Sequence, residues 1–184
     1  MHFSDDLVRF VPLNDQEKND KKAMLSAILK DGESVLFREN LLYHMTGSSI
    51  IVNKDKTKTL MAYHNIYQSW AWTGGHADGE TDLMRLAIRE AREETGIQTL
   101  TPISDAPISC EILHVLPHMK KGKYVGLHLH FNLTYALIGD ESEPLTVKAD
   151  ENTRVGWLPI DRLDEFVSEP FMIPIYQKIL GRIV

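Results

Sequence analysis

One cysteine, Cys110, stands in 184 residues. No disulfide can therefore staple the chain internally, and a reducing, cytoplasmic setting is expected. No apolar run approaches the ~20 residues that a membrane-spanning helix needs, so no membrane partner is expected. The opening MHFSDDLVRF carries acids early and lacks the basic-then-apolar order of a secretory signal. Positive charge is also scarce: 20 Lys and Arg against 26 Asp and Glu leave a net charge of −6. A chain of that balance has no basic stripe for a nucleic-acid polymer. Repeats and low-complexity tracts are missing too, which excludes solenoids and fibrous arrays. What is present is an ordinary globular composition, 43% hydrophobic and 25% charged, long enough for one cored domain with a small extension.

The chemistry concentrates in residues 74–97, GGHADGETDLMRLAIREAREETGI. Glu90, Glu93 and Glu94 are spaced i, i+3 and i+4, so on a helix their carboxylates share one face. Like charges so placed repel by a few tenths of a kcal/mol per pair, roughly, and call for a cation. The glycine-rich turn before them, Gly74 to Gly79, lets a ligand approach the backbone closely. A loop that admits phosphates beside a helix that repels them is consistent with a hard metal between the two, Mg²⁺ or Mn²⁺. The bland alternative is a solvated helix carrying the i,i+4 pair Arg89–Glu93 and the i,i+3 pair Asp82–Arg85.

This stretch resembles the signature of the Nudix hydrolases: Gly, five residues, Glu, seven residues, Arg-Glu, an apolar residue, any residue, Glu-Glu, any residue, Gly, an apolar residue. Gly75, Arg89, Glu90, Ala91, Glu93, Glu94, Gly96 and Ile97 match. One position departs: Thr81 stands where the signature has its first Glu, and Glu80 lies one residue early. In the family that Glu pairs with the Arg, so the departure touches the support of the metal ligands rather than the ligands. The resemblance implies an α/β (α+β) fold, an α/β/α sandwich on a mixed sheet. It also implies metal-dependent hydrolysis of a diphosphate linkage in a nucleoside diphosphate derivative or a related phosphorylated small molecule. Glu90, Glu93 and Glu94 would be metal ligands with the Gly75 carbonyl as a fourth, and Arg89 would orient one carboxylate. The family's general base is a box glutamate such as Glu93 or Glu94, or a later loop acid, here Asp150 or Glu151. Two other readings compete. One is a non-catalytic module of the same fold binding a nucleotide or a protein. The other is an isomerase of isopentenyl diphosphate, for which Cys110 is the sole nucleophile candidate.

Around the signature, residues 1–42 read as an N-terminal helical extension and 43–184 as the main domain. Residues 1–14 show no strong pattern. Met24, Leu25, Ile28 and Leu29 predict a helix from Asp15 to Lys30, capped by Asn14 or Asp15 and closed at Gly32. Val35 to Phe37 with Leu41 and Leu42 suggests a short helix. The extension is a candidate for homodimer contact or pocket shaping, with plain packing favoured. Strands are expected at 48–53, 60–63 and 69–73, the last aligning Trp70 and Trp72. These two, with Tyr63 and Tyr67, are candidates to stack a base, although core packing is the commoner fate of such residues. Residues 82–95 predict a helix with Leu83, Leu86, Ala87 and Ala91 inward, and 98–109 a loop. Cys110–Leu116 reads as a strand. Lys120, Lys121 and Lys123 read as a solvated turn before the phosphate-contact alternative. Tyr124–Ile138 alternates most clearly, setting His128 and His130 side by side. Such a pair suits a transition metal, yet nothing near it in sequence completes a set, which favours a metal-free polar face. A last strand at 154–159, a short helix at 161–167 capped by Asp161, and a helix from Phe171 to Ile183 follow.

Overall fold

The computed structural model describes residues 2–120 and 122–183. In chain order it has helices α1 (Phe3–Arg9) and α2 (Asp15–Asp31), a 3-10 turn (Gly32–Leu36), and strands β1 (Tyr43–Val52), β2 (Lys58–His64), β3 (Ser69–Ala71) and β4 (Thr73–His76). Helix α3 (Leu83–Thr95) follows. After it come β5 (Leu100–Pro102), β6 (Ser109–Val115), β7 (His118–Lys120), β8 (Lys123–Val125), β9 (His128–Gly139) and β10 (Asn152–Pro159). A 3-10 segment (Ile160–Glu165) and α4 (Ile173–Ile183) close the chain.

The eight-stranded sheet runs β10-β2-β1-β9-β5, with β3 on β2, β4 on β1 and β6 on β9. Strands β1 and β9 pair in parallel from Tyr43↔Leu129 to Val52↔Ile138. The flanking pairs are antiparallel, so the sheet is mixed. Successive side chains of a strand leave opposite faces. On one face Met45, Phe131, Leu133 and Tyr135 pack with residues of α1, α2 and α3. On the other, Ile50, Val52 and Ala136 pack with α4 and the second 3-10 segment. Helices thus cover both faces, the expected α/β/α sandwich.

Side-chain caps start the two longer helices, and for α2 the cap is the expected one. Asn14 Oδ1 accepts the Glu17 amide at 2.9 Å, and Asp82 Oδ1 accepts that of Arg85 at 3.0 Å. Gly96 closes α3 in the left-handed region at φ 77°, where a side chain would be strained. Leu83, Leu86, Ala87 and Ala91 are wholly buried along the inner side of α3.

Elsewhere the structure corrects the sequence reading. Residues expected to lack a pattern form α1, whose i,i+4 pair Phe3 and Leu7 is buried. A seven-residue helix is shorter than the window that reveals periodicity. In α2 the stripe is narrower than expected, since Leu29 is 88% exposed. Of the next expected helix only the 3-10 turn forms, and Leu41 and Leu42 are exposed. Strand β1 starts earlier than its visible Ile50-Ile51-Val52 because both its faces are covered; such a strand shows no alternation. The 69–73 strand divides at Trp72, β3 joining β2 and β4 joining β1. The 98–109 loop contains β5, paired on β9. The long 124–138 strand divides as well, its first residues pairing in the β7–β8 hairpin. The segment after β10 is 3-10, with no side-chain cap from Asp161.

A buried ionic group ties the two ends of the chain to the sheet. Glu17 of α2 receives both Arg182 terminal nitrogens at 2.7 and 2.8 Å and lies 3.0 Å from Lys178 Nζ. Ser109 donates to Glu17 at 2.9 Å, and Lys178 also meets Glu111 at 2.6 Å. Burial acts to raise the Glu17 pKa, but Arg182, the Leu13 amide and Lys178 outweigh it and hold it at about 2, below the usual 4.5. Glu111 moves the other way, pushed up chiefly by burial. Because the Glu17 value falls on folding, its stabilisation is complete above pH 4.5 and is lost as pH drops toward 2. Thermal unfolding should therefore show the melting temperature dropping steeply across that window. Glu17→Gln should melt about 6–12 °C lower at neutral pH, having left two partly buried cations short of a partner, and should lose less on acidification. Equal acid slopes in the two proteins would refute this role.

Candidate functional site

The carboxylates gather where β4 runs into α3. Glu94 is 5% exposed. Its Oε1 accepts the Gly74 amide at 2.9 Å and its Oε2 the Asn152 side-chain amide at 3.1 Å. Burial first, then Glu151 and Glu90, push its carboxyl up to about 7 against the lowering effect of those two hydrogen bonds. Glu90 lies against Gly75: a Cβ there would stand 2.6 Å from the Glu90 carboxyl carbon. A side chain at this position would have to displace the Glu90 carboxylate. Glu93 is half exposed on the outer side of α3, and Lys148 Nζ stands 3.7 Å from it and 2.9 Å from Glu151. Glu90, Glu93, Glu94 and Glu151 therefore share one neighbourhood, whereas Asp150 is exposed. With the Gly75 carbonyl they offer only oxygen donors, the set a hard divalent ion takes. Asn152 Oδ1, buried and without a hydrogen-bond partner among the described residues, leaves a polar position open beside Glu94. The residues fit such an ion.

Arg89 bonds Glu90 at 3.0 Å and lies 3.7 Å from Glu93. Glu80 does not take the place of the missing signature Glu: it pairs with Arg85 at 2.9 Å and caps the Asp82 amide at 3.0 Å. Thr81 instead offers its carbonyl to the Phe3 amide at 2.8 Å, docking α1 onto the loop. Asn152 was not singled out by sequence, because only the β10–β2 pairing brings it under Glu94.

Other candidates are placed differently. Trp72 packs edge-on against Tyr176 at 5.3 Å, and Trp70 meets Tyr63 at 5.8 Å. Both tryptophans lean on the α4-side core. Arg154 lies over Tyr63 at 4.2 Å, and Tyr67 stacks on His64. Cys110 is buried in the core, its thiol pushed up to about 12 by burial and then by Glu111 and Glu17, which is contrary to a nucleophile's needs. Lys123 is exposed on β8, and Lys121 lies outside the described residues. His128 and His130 do not stand alone: His44 and His76 join them, with one nitrogen of each within 4.8 Å of the others. Burial, with the neighbouring imidazoles, pushes His130 down to about 2.

The NUDIX domain model matches residues 43–179. The chain belongs to the NUDIX family. It is 35% identical over 118 residues to an RNA pyrophosphohydrolase of Agrobacterium fabrum, a match covering 59% of this chain and 66% of that one. It is 30% identical over 122 residues to an RNA pyrophosphohydrolase of Brucella anthropi, covering 62% and 69%. Among solved structures, a NUDIX-family hydrolase from Clostridium perfringens superposes with a TM-score of 0.54 at 21% identity, covering 77% of this chain and 98% of that one. Among the described residues no helix is long and apolar enough to cross a membrane.

The contact between Gly75 and Glu90 has a direct consequence. In Gly75→Ala the added methyl must displace the Glu90 carboxylate, so Mn²⁺ affinity measured by calorimetry should fall about 10–100-fold while the fold is kept. Unchanged Mn²⁺ affinity would remove Glu90 from the ligand set.

Proposed function

We propose that this chain is a metal-dependent hydrolase cleaving a diphosphate linkage in a nucleoside diphosphate derivative or related phosphorylated small molecule. Residues 43–184 form the catalytic unit and 1–42 an extension, a division the family match over 43–179 supports. The single observation that carries the reading is the convergence of Glu90, Glu93, Glu94 and Glu151 beside the Gly74–Gly75 backbone. Glu90, Glu93, Glu94 and the Gly75 carbonyl would hold Mg²⁺ or Mn²⁺. Such an ion neutralises phosphate charge and lowers the pKa of an attacking water.

The chain's own groups set the rest. The Gly74 amide and Asn152 fix both oxygens of Glu94, so that carboxylate is oriented before substrate arrives. Arg89 holds Glu90 and Glu93 from outside. Glu151 is more open than the buried Glu94 and meets Lys148 Nζ at 2.9 Å. It is the group we assign to take the proton from water. Lys148 limits the repulsion between Glu93 and Glu151 and stands where an incoming phosphate would meet a positive charge. The buried Cys110 gives no support to the isomerase reading.

The curated relatives' name, RNA pyrophosphohydrolase, favours a second substrate reading, a 5′-polyphosphate end of RNA. The net charge of −6 argues for contact with the end alone. Turnover with Mg²⁺ of dinucleoside polyphosphates, ADP-ribose, nucleotide sugars, oxidised nucleotides and a 5′-triphosphorylated RNA separates the two. No turnover anywhere in the panel would return the chain to the non-catalytic alternative. On the best substrate, Glu94→Gln should abolish Mg²⁺-dependent turnover with its melting temperature kept within a few degrees, and near-normal activity would end the assignment. Glu151→Gln should lower kcat by about 10²–10⁴-fold with little change in KM. A loss below about tenfold would move the base into the helix.

A further inference from the structure

Strand register alone sets four histidines on one face of the sheet. His44 is the parallel partner of His130, and His128 lies two residues before it on β9. His76 is the antiparallel partner of Thr46, two residues beyond His44 on β1. Alternation then points all four side chains the same way. Their rings lie in mutual contact: the centroid of His44 is 5.0 Å from that of His76, 4.9 Å from His128 and 5.2 Å from His130.

We propose that His44, His76, His128 and His130 form a closed four-imidazole site for a borderline divalent transition-metal ion, Zn²⁺ by preference. Two backbone carbonyls hold the rings as such a site requires. His44 Nδ1 lies 3.2 Å from the Asn40 carbonyl, and His128 Nδ1 lies 2.9 Å from that of Gly126. A carbonyl only accepts, so each Nδ1 carries the hydrogen and each Nε2 presents its lone pair inward. His44 is 4% exposed, and its Nε2 has no hydrogen-bond partner among the described residues. A buried acceptor left in that state calls for a ligand. His128 and His130 face each other Nε2 to Nε2 at 3.3 Å. In a tetrahedral site with Zn–N bonds of about 2.0–2.1 Å, ligand nitrogens are about 3.3 Å apart. That edge already has the required length; an ion there replaces the shared proton, with His130 taking its Nδ1–H tautomer.

The site is distinct from the glutamates. The Cβ direction at Gly75 meets Glu90, so the next residue, His76, points to the opposite face of β4. An all-nitrogen set also selects against Mg²⁺. The nearby cation, Arg38, is neutralised by Asp78, whose carboxylate accepts its Nε at 2.7 Å. With four protein ligands the ion has no open position and is structural. It would clamp β1, β4 and β9 together and fix the backbone from which Gly75 offers its carbonyl.

The test uses the full chain, stripped with chelator and titrated with Co²⁺ in excess Mg²⁺, which keeps the oxygen-ligand site occupied. Wild type and Glu94→Gln should both develop the intense visible bands of tetrahedral Co²⁺, saturating at one ion per chain and displaced by Zn²⁺. His44→Gln and the double substitution His128→Asn, His130→Asn should lose them, and Zn²⁺ should raise the melting temperature only where the bands appear. No such bands in wild type and Glu94→Gln, or their persistence in a histidine variant, would overturn the site. Loss of the bands in Glu94→Gln would also overturn it, by assigning the ion to the glutamates.

Discussion

The parallel pairing of β1 with β9 is the constraint on which the rest depends. These are the two most covered strands, and a pair buried on both faces tolerates no slip, since a shift by one residue would turn every side chain to the wrong layer. Once the register is set, Met45, Phe131, Leu133 and Tyr135 face α3, while Ile50 and Ala136 face α4. A polar row is set as well: Asn132 accepts from Thr46 at 2.9 Å and Ser48 at 2.8 Å and donates to Thr134 at 3.0 Å. Each of these buried groups is satisfied, so the row costs little and fixes the alignment.

From that pair the functional elements hang outward. β4 pairs with β1, and its glycines bring the backbone under α3. β10 pairs with β2 and slides Asn152 beneath Glu94. A carboxylate pushed up to about 7 in this position is poised between protonation states at neutral pH. A buried acid surrounded by other acids is one whose charge a divalent cation would restore. The left-handed backbone of this loop lies at Asp78, φ 45°, and Gly79, φ 90°, beyond Gly74 and Gly75. The Glu17–Arg182–Lys178 group does for the termini what the strand pair does for the centre, holding α2 and α4 to β6.

Legibility followed the range of each interaction. Helix α3 and its glutamate face are local, and periodicity over residues 82–95 exposed them, whereas the Asp82 cap showed only in the structure. Strand β1 was half hidden because full burial erases alternation. The division of 69–73 and of 124–138 was hidden because which partner a strand leaves or joins is not a property of that strand. The fate of Glu80 shows the same limit: its neighbour Arg85, i+5 along the chain, won over Arg89 through the geometry of the turn.

By itself the sequence determined that a helix would carry three carboxylates on one face behind a glycine turn, because 3.6-residue periodicity and glycine's conformational range act within a few residues. It determined the family by the same short interval. Tertiary structure alone decided that Asn152 and Glu151 would reach that helix, that Cys110 would be sealed in the core, and that His44 and His76 would meet His128 and His130. Those meetings are set by strand register, which brings together residues far apart along the chain and leaves no periodic trace in either partner.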